Sequence, residues 1–167
     1  MQFLAFNWAS EQDAYQFLKQ IVAIERWVDE VVSNRPYISV QELLSFAETS
    51  CQAWTWRDVK KALDNHPRIG EKKAQTDLTV KEQAFSEREQ AKIAMDEKTK
   101  ARLVAANQRY EQQFGFIFLI KAAGLTSQQI LAALEVRLQN NIEQEQKIVM
   151  EQLSAITLLR LSQELQA

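Results

Sequence analysis

The residue whose chemistry stands out first is His66, the only histidine in the chain. Imidazole is the one side chain whose unperturbed pKa allows it to donate or accept a proton near neutral pH. His66 falls just after a predicted helix end and before Pro67, so its backbone is restrained while its side chain can enter a cavity. On composition alone, a surface or helix-capping histidine is the more common outcome. We treat His66 as a candidate acid/base residue.

A second candidate is Glu89, in the stretch Ser86-Glu87-Arg88-Glu89-Gln90. The spacing is typical of a capping box, with Ser86 as N-cap and Glu89 at the third helical position. In a functional interpretation, Glu89 and the amides of the helix N-terminus surround a polar or anionic ligand. Composition favours the cap, and both interpretations can hold together.

Arg160 is the least expected residue of the last predicted helix. The spacing of Val149, Leu153, Ile156 and Arg160 places the arginine on an apolar stripe. Arginine is rarely buried without a partner. Its side chain therefore either extends to solvent or points into an interior polar site, where its planar fork suits carboxylate or ureido oxygens.

The cysteine and histidine counts limit other chemistries. One cysteine, Cys51, excludes a disulfide within the chain and indicates a reducing compartment. One histidine and one cysteine cannot build the usual zinc site, although a carboxylate-bound Mg²⁺ stays open. Cys51 could be a nucleophile paired with His66, but a core cysteine is favoured.

The scarcity of turn residues predicts the fold class. Three glycines and two prolines in 167 residues favour long helices with short connections. We therefore predict an all-α protein, a single-domain helical bundle of about seven to nine helices over residues 1–167.

Capping patterns and apolar spacing place most of the helices. Residues 116–120 are apolar throughout, so we expect them to be buried in either a helical or an extended form. The predicted helices run from a Ser10 cap to about Ala23, from about Ile24 to Val32, from a Ser39 cap, from a Thr55 cap to Asn65, from Glu87 to Gln113 with Gly115 as the stop, from a Thr126 cap to about Asn140, and from Ile142 to Gln163.

Charge and hydropathy exclude two partner classes. The net charge of −2 and the scattered lysines and arginines argue against nucleic-acid binding. No apolar run approaches the roughly 20 residues of a membrane span. Residues 1–7 have no basic region ahead of their apolar stretch, so we expect no secretory signal. A soluble cytoplasmic protein is the simplest prediction.

Four short motifs occur in an order that resembles the OHCU decarboxylase family. OHCU is 2-oxo-4-hydroxy-4-carboxy-5-ureidoimidazoline, which members convert to (S)-allantoin and CO₂ in the last step from urate. The resemblance covers nearly the whole chain. The motifs are His66-Pro67-Arg68-Ile69-Gly70, Ser86-x-x-Glu89-Gln90, Asn107-x-x-Tyr110-Glu111-x-x-Phe114-Gly115-Phe116-x-Phe118 and Arg160-Leu161.

The resemblance implies a helical bundle with one pocket, no metal and no cofactor, and a homodimer is compatible with it. His66 would be the catalytic acid/base, with Glu89 and Arg160 completing the polar set around a small-molecule ureidoimidazoline. The substrate would be lined by Pro67, Ser86, Glu87, Arg88 and Gln90, and by the backbone of Phe118, Leu119, Ile120, Lys121 and Ala122.

These assignments suggest a mechanism. His66 and Glu89, hydrogen-bonded as a pair, would handle protons at the 4-hydroxyl and C4 of the substrate, while Arg160 binds ring or ureido oxygens. The competing interpretation is a non-enzymatic helical interaction module, which would need an exposed apolar face instead of a closed polar pocket.

Overall fold

The computed structural model describes residues 1–64, 66, 68, 69, 85 and 96–166. All regular secondary structure of this described part is helical, which confirms the predicted all-α class. Its eight helices are α1 (Phe3–Trp8), α2 (Glu11–Ile21), α3 (Glu25–Ser33), α4 (Val40–Cys51), α5 (Trp56–Leu63), α6 (Glu97–Phe114), α7 (Ser127–Arg137) and α8 (Ile142–Gln166).

The chain divides into two compact units, which we describe separately. Unit 1 contains Met1–Ala62 and Ser154–Ala167, and unit 2 contains Leu63–Leu153. The single-domain organisation stays a prediction. Within the described ranges, no helix combines the length and the hydrophobicity that a membrane crossing requires.

Four of the predicted N-terminal caps are present, and the fifth, Ser86, lies outside the described residues. Each cap hydroxyl accepts a hydrogen bond from the backbone N–H three residues later, at 3.0–3.2 Å, which satisfies a donor that the helix itself leaves unpaired. The four caps are Ser10, Ser39, Thr55 and Thr126. These local signals fixed the starts of α2, α4, α5 and α7 to within a residue.

The predicted helix from Glu87 to Gln113 is wrong as one continuous element. Asp96 has extended backbone angles, and its carboxylate accepts a 2.6 Å hydrogen bond from the N–H of Thr99, so α6 begins at Glu97. The carboxylate of a capping aspartate accepts a hydrogen bond from a first-turn N–H that has no acceptor within the helix. At the other end Gly115, the predicted stop, adopts a left-handed conformation with φ of 77°.

Unit 1 has an aromatic core built on Trp27. Its indole N–H donates to the Ala47 carbonyl at 2.9 Å, which joins α3 to α4. Trp54 meets Trp27 edge-on, with ring centroids 6.3 Å apart. The two indoles therefore add both a directional hydrogen bond and buried aromatic area to this core.

Unit 2 contains a fully buried carboxylate, that of Glu145 in the first turns of α8. Arg137, at the end of α7, donates to it through Nε at 3.0 and 3.1 Å and through Nη2 at 2.9 Å. Tyr110 of α6 and Asn140 also donate to Glu145, Asn140 at 3.0 Å. The cluster satisfies a charge that would otherwise be strongly destabilising in the interior.

The same arginine fixes the coil that follows α6. Arg137 Nη1 donates to the Leu119 carbonyl at 2.6 Å, and the guanidinium carbon lies 4.4 Å from the centre of the Phe118 ring. Residues 117–122 are irregular and not helical. The expected burial of residues 116–120 is confirmed for three of them, while Ile117 and Ile120 are half-buried.

We predict that breaking the buried pair destabilises the protein strongly. Glu145→Gln leaves the Arg137 cation without its counter-charge, and the loss of one partner of a buried ion pair lowers the free energy of unfolding by about 3 to 5 kcal/mol. Urea unfolding measures the change. The matched control is Arg102→Gln, which removes an ion pair to Glu135 whose side chains are about half exposed and should change stability by less than about 1 kcal/mol. An equal effect of both substitutions would contradict the prediction.

Candidate functional site

A cavity of about 300 Å³ in unit 2 contains His66. That volume is at the small end of the range found for ligand pockets, and suits a single substituted ring. The lining residues are Leu63, Asp64, His66, Arg68, Glu111, Gly115, Phe116 and Ile117. The cavity thus combines one imidazole, one guanidinium and two carboxylates with an apolar wall.

His66 reaches the cavity because α5 ends just before it. The His66 N–H donates to the Leu63 carbonyl at 2.9 Å, in a last tight turn beyond the helix. Its side chain is half-buried at the cavity wall. This placement agrees with the expectation that a histidine after the helix end enters a cavity.

The residues that follow His66 are attached to α6 at two points. Arg68 and Glu111 form a two-point ion pair, in which Nε contacts Oε1 and Nη2 donates to Oε2 at 2.8 Å. The buried Asn107 side chain donates to the Ile69 carbonyl at 3.1 Å. Since Asn107 and Glu111 are four residues apart, one face of α6 makes both contacts.

Arg160 lies in unit 1 and is 3% exposed. Its Nη1 donates to the Ile21 carbonyl at 3.3 Å. Of the two interpretations of this residue, extension to solvent is therefore wrong, and its role in an interior polar site stays a prediction. Arg160 is buried because the apolar stripe of α8, including Leu153 and Ile156, is itself buried.

The predicted substrate-lining backbone begins one residue after the cavity-lining Ile117. Phe118, Leu119 and Ala122 are buried, whereas the Lys121 side chain is exposed. Arg137 holds the Leu119 carbonyl, and the Lys121 N–H donates to Gln152 Oε1 at 2.8 Å. The role of Phe118 to Ala122 in substrate binding stays a prediction.

Several other predicted site residues lie outside the described residues, and their roles stay predictions. These are Glu89 and the lining candidates Pro67, Ser86, Glu87, Arg88 and Gln90. In the described ranges, no three His, Cys, Asp or Glu side chains are grouped as metal ligands would be.

Sequence reasoning missed three charged residues of the cavity: Asp64, Arg68 and Glu111. Arg68 and Glu111 stood inside motifs that had already been singled out, but the 43-residue separation between them hides their contact. Asp64 lies two residues before His66. Only the fold brings these side chains to one cavity.

Cys51 is a buried core residue of unit 1. Burial raises the pKa of its thiol from its usual 9.0 to about 11, although contacts with Ser154 and Trp27 oppose the rise. The thiolate is the reactive form, and almost none of it is present at neutral pH. This agrees with the favoured interpretation of Cys51.

The family model described as OHCU decarboxylase matches residues 7–162. The described fold is all-α, and the family is the one that the motifs of the sequence resemble. The chain belongs to the OHCU decarboxylase family.

Two curated relatives agree with this assignment. The 2-oxo-4-hydroxy-4-carboxy-5-ureidoimidazoline decarboxylase of Haloferax volcanii is 30% identical over 138 residues, which cover 82% of this chain and 80% of that protein. The uric acid degradation bifunctional protein of Bacillus sp. (strain TB-90) is 29% identical over 167 residues, or 98% of this chain. The chain spans about a third of the length of that bifunctional relative.

Two solved structures share the fold. A crystal structure of OHCU decarboxylase in the presence of (S)-allantoin superposes with a TM-score of 0.73 at 23% identity, covering 90% of this chain and 98% of that chain. A crystal structure of (S)-allantoin synthase gives 0.71 at 18% identity, covering 98% of this chain and 54% of that chain.

We predict that native Cys51 resists alkylation. At pH 8 a rise of two pKa units lowers the thiolate fraction by about 100-fold, so iodoacetamide should modify the native protein at least that much more slowly than the urea-unfolded chain. The rate should climb with pH until about pH 11. Mass spectrometry of timed samples measures it. Native and unfolded rates within a few-fold of each other would refute the buried-thiol assignment.

Proposed function

We propose that this chain decarboxylates OHCU to (S)-allantoin and CO₂ in urate degradation. The observation that carries the proposal is the match of residues 7–162 to the OHCU decarboxylase family. The position of the only histidine at a small polar cavity supports it further. A substituted five-membered ring is compatible with about 300 Å³.

The substrate itself explains why we propose a reaction without metal or cofactor. When the bond from the ring to the carboxylate breaks, its electron pair can pass to the adjacent C=N bond. The enzyme must hold the bond to the departing carboxylate roughly perpendicular to the ring. It must also deliver one proton to one face of the carbon that becomes the (S) stereocentre.

We assign the proton transfers to His66. The imidazole can take a proton from the ring hydroxyl and supply one to carbon at neutral pH. Glu89, assigned from the resemblance, would accept a hydrogen bond from the imidazole and fix which nitrogen carries the proton. The cavity supplies the low-dielectric wall that strengthens such contacts, through Leu63, Phe116 and Ile117.

For Arg160 we propose contact with ring or ureido oxygens. Negative charge grows on these atoms as CO₂ leaves, so a cation there stabilises the transition state more than the ground state. A contact between Arg160 and the departing carboxylate would stabilise the ground state more than the transition state, because the carboxylate loses its charge as CO₂ forms. The buried position of Arg160 supports this role, since water competes little with its hydrogen bonds.

Three further proposals complete the function. Pro67, Ser86 to Gln90 and the backbone of Phe118 to Ala122 would line the substrate. The resemblance supports a homodimer, which sedimentation velocity would test. A reducing, cytoplasmic location is supported by the single cysteine.

The alternative, a helical interaction module without activity, is less well supported. Such a module would use an exposed apolar face. The single imidazole instead lies at a cavity with three charged side chains, which suits a small polar ligand.

We predict that His66→Asn abolishes most of the activity. Asparagine keeps a polar side chain of similar reach but cannot exchange protons at neutral pH, so the rate should fall by about 10²- to 10⁴-fold. Freshly generated OHCU is the substrate, and circular dichroism follows (S)-allantoin above the spontaneous background.

Arg102→Gln serves as the control because its ion pair with Glu135 is exposed and does not line the cavity. It should retain the wild-type rate. Equal acceleration by wild type and His66→Asn would remove His66 from the mechanism. No acceleration by the wild type would remove the proposed function.

A further inference from the structure

The charged residues around His66 include an ion pair that has no role in the proposed chemistry. Among the described residues, the charged groups that line its cavity are Asp64, Arg68 and Glu111. Asp64 follows α5, Arg68 lies two residues beyond the histidine, and Glu111 comes from α6. Two of the three are paired with each other.

The Arg68–Glu111 pair has the geometry of a positioning contact. Two parallel hydrogen bonds between a guanidinium and a carboxylate fix the orientation as well as the distance. The side chains are 37% and 26% exposed, so solvent does not fully screen the pair. The neighbouring bond from Asn107 to the Ile69 carbonyl restrains the same segment from the same helix.

The pair also contributes to the electrostatic field at the imidazole, together with the Asp64 carboxylate that lines the same cavity. Because the two charges have opposite signs and both line the cavity, each partly offsets the other at His66. If one partner is neutralised, it no longer offsets the charge of the other at the wall of the same cavity. The two substitutions should therefore have opposite electrostatic effects, whereas loss of a purely structural contact would have the same effect from either side.

We propose that Arg68 and Glu111 are positioning residues that hold His66 at the cavity, and that their opposite charges offset each other at its imidazole. The functional part of this inference rests on the proposed proton transfers by His66. The electrostatic part concerns the folded protein alone and can be measured without substrate.

Because His66 is the only histidine, the Cε1–H of its imidazole gives a single signal of its kind in the untagged protein. Its titration reports the pKa directly. Glu111→Gln leaves the Arg68 cation, which disfavours imidazolium and should lower the pKa by about half a pH unit. Arg68→Gln leaves the Glu111 carboxylate and should raise it by a similar amount.

The double variant Arg68→Gln with Glu111→Gln removes both charges and should return the pKa close to the wild-type value. Arg102→Gln is the matched control. It removes an arginine of the same helix whose ion pair with Glu135 is exposed, and it should not shift the His66 pKa. Opposite shifts with recovery in the double variant support the proposal. Shifts in one direction, or none, overturn it. If Arg68→Gln does not fold, the isosteric Glu111→Gln decides alone: a lowered pKa supports the proposal, and a raised or unchanged one overturns it.

The positioning role has its own readout. Arg68→Lys keeps the charge but loses the planar two-point contact. It should leave the His66 pKa near the wild-type value while kcat falls by about 10-fold and KM stays within a factor of about two. An unchanged kcat would overturn the positioning role. If no variant and no wild-type sample has activity, the proposed function fails while the NMR result still decides the electrostatic part.

Discussion

The carboxylate of Glu145 has no contact with solvent, and three side chains of unit 2 donate hydrogen bonds to it. The donors come from three places in the chain: Tyr110 on α6, Arg137 at the end of α7, and Asn140 between α7 and α8. Burial and the hydrogen bond to Glu145 raise the pKa of Tyr110, so its hydroxyl stays a donor. A satisfied buried charge of this kind tolerates few alternative packings, because any rearrangement leaves it without partners.

Helix α6 connects the Glu145 cluster to the candidate site. Tyr110 belongs to the buried cluster, while Asn107 and Glu111, on the neighbouring face, hold the segment after His66. Arg137 meanwhile fixes the Leu119 carbonyl in the coil after Gly115. A site that must orient a small ring and deliver one proton to one face needs this kind of preorganised support.

The sequence predicted what local chemistry determines and failed where tertiary contacts decide. Ser39 indicates a helix start because its hydroxyl can accept a first-turn hydrogen bond, and Gly115 indicates a helix end because glycine adopts positive φ easily. Both predictions are confirmed. Asp96 is a cap of the same kind, but the surrounding helix formers conceal it. The sequence does not distinguish Glu145 from the other glutamates, because burial and partners 5 to 35 residues away are not visible in a local pattern. The burial of Arg160 likewise depends on whether its face of α8 is covered, which the spacing of apolar residues alone does not decide. Glu89 and its neighbours keep the support of the resemblance.

The central claim is that the cavity beside His66 is where the reaction takes place. The most direct test follows the His66 imidazole signal while (S)-allantoin, the proposed product, is added to wild-type protein, with (R)-allantoin as the control. The account predicts a saturable shift of this single signal with (S)-allantoin and a much weaker response to the (R) form. An active protein whose His66 signal does not move at saturating (S)-allantoin would contradict it.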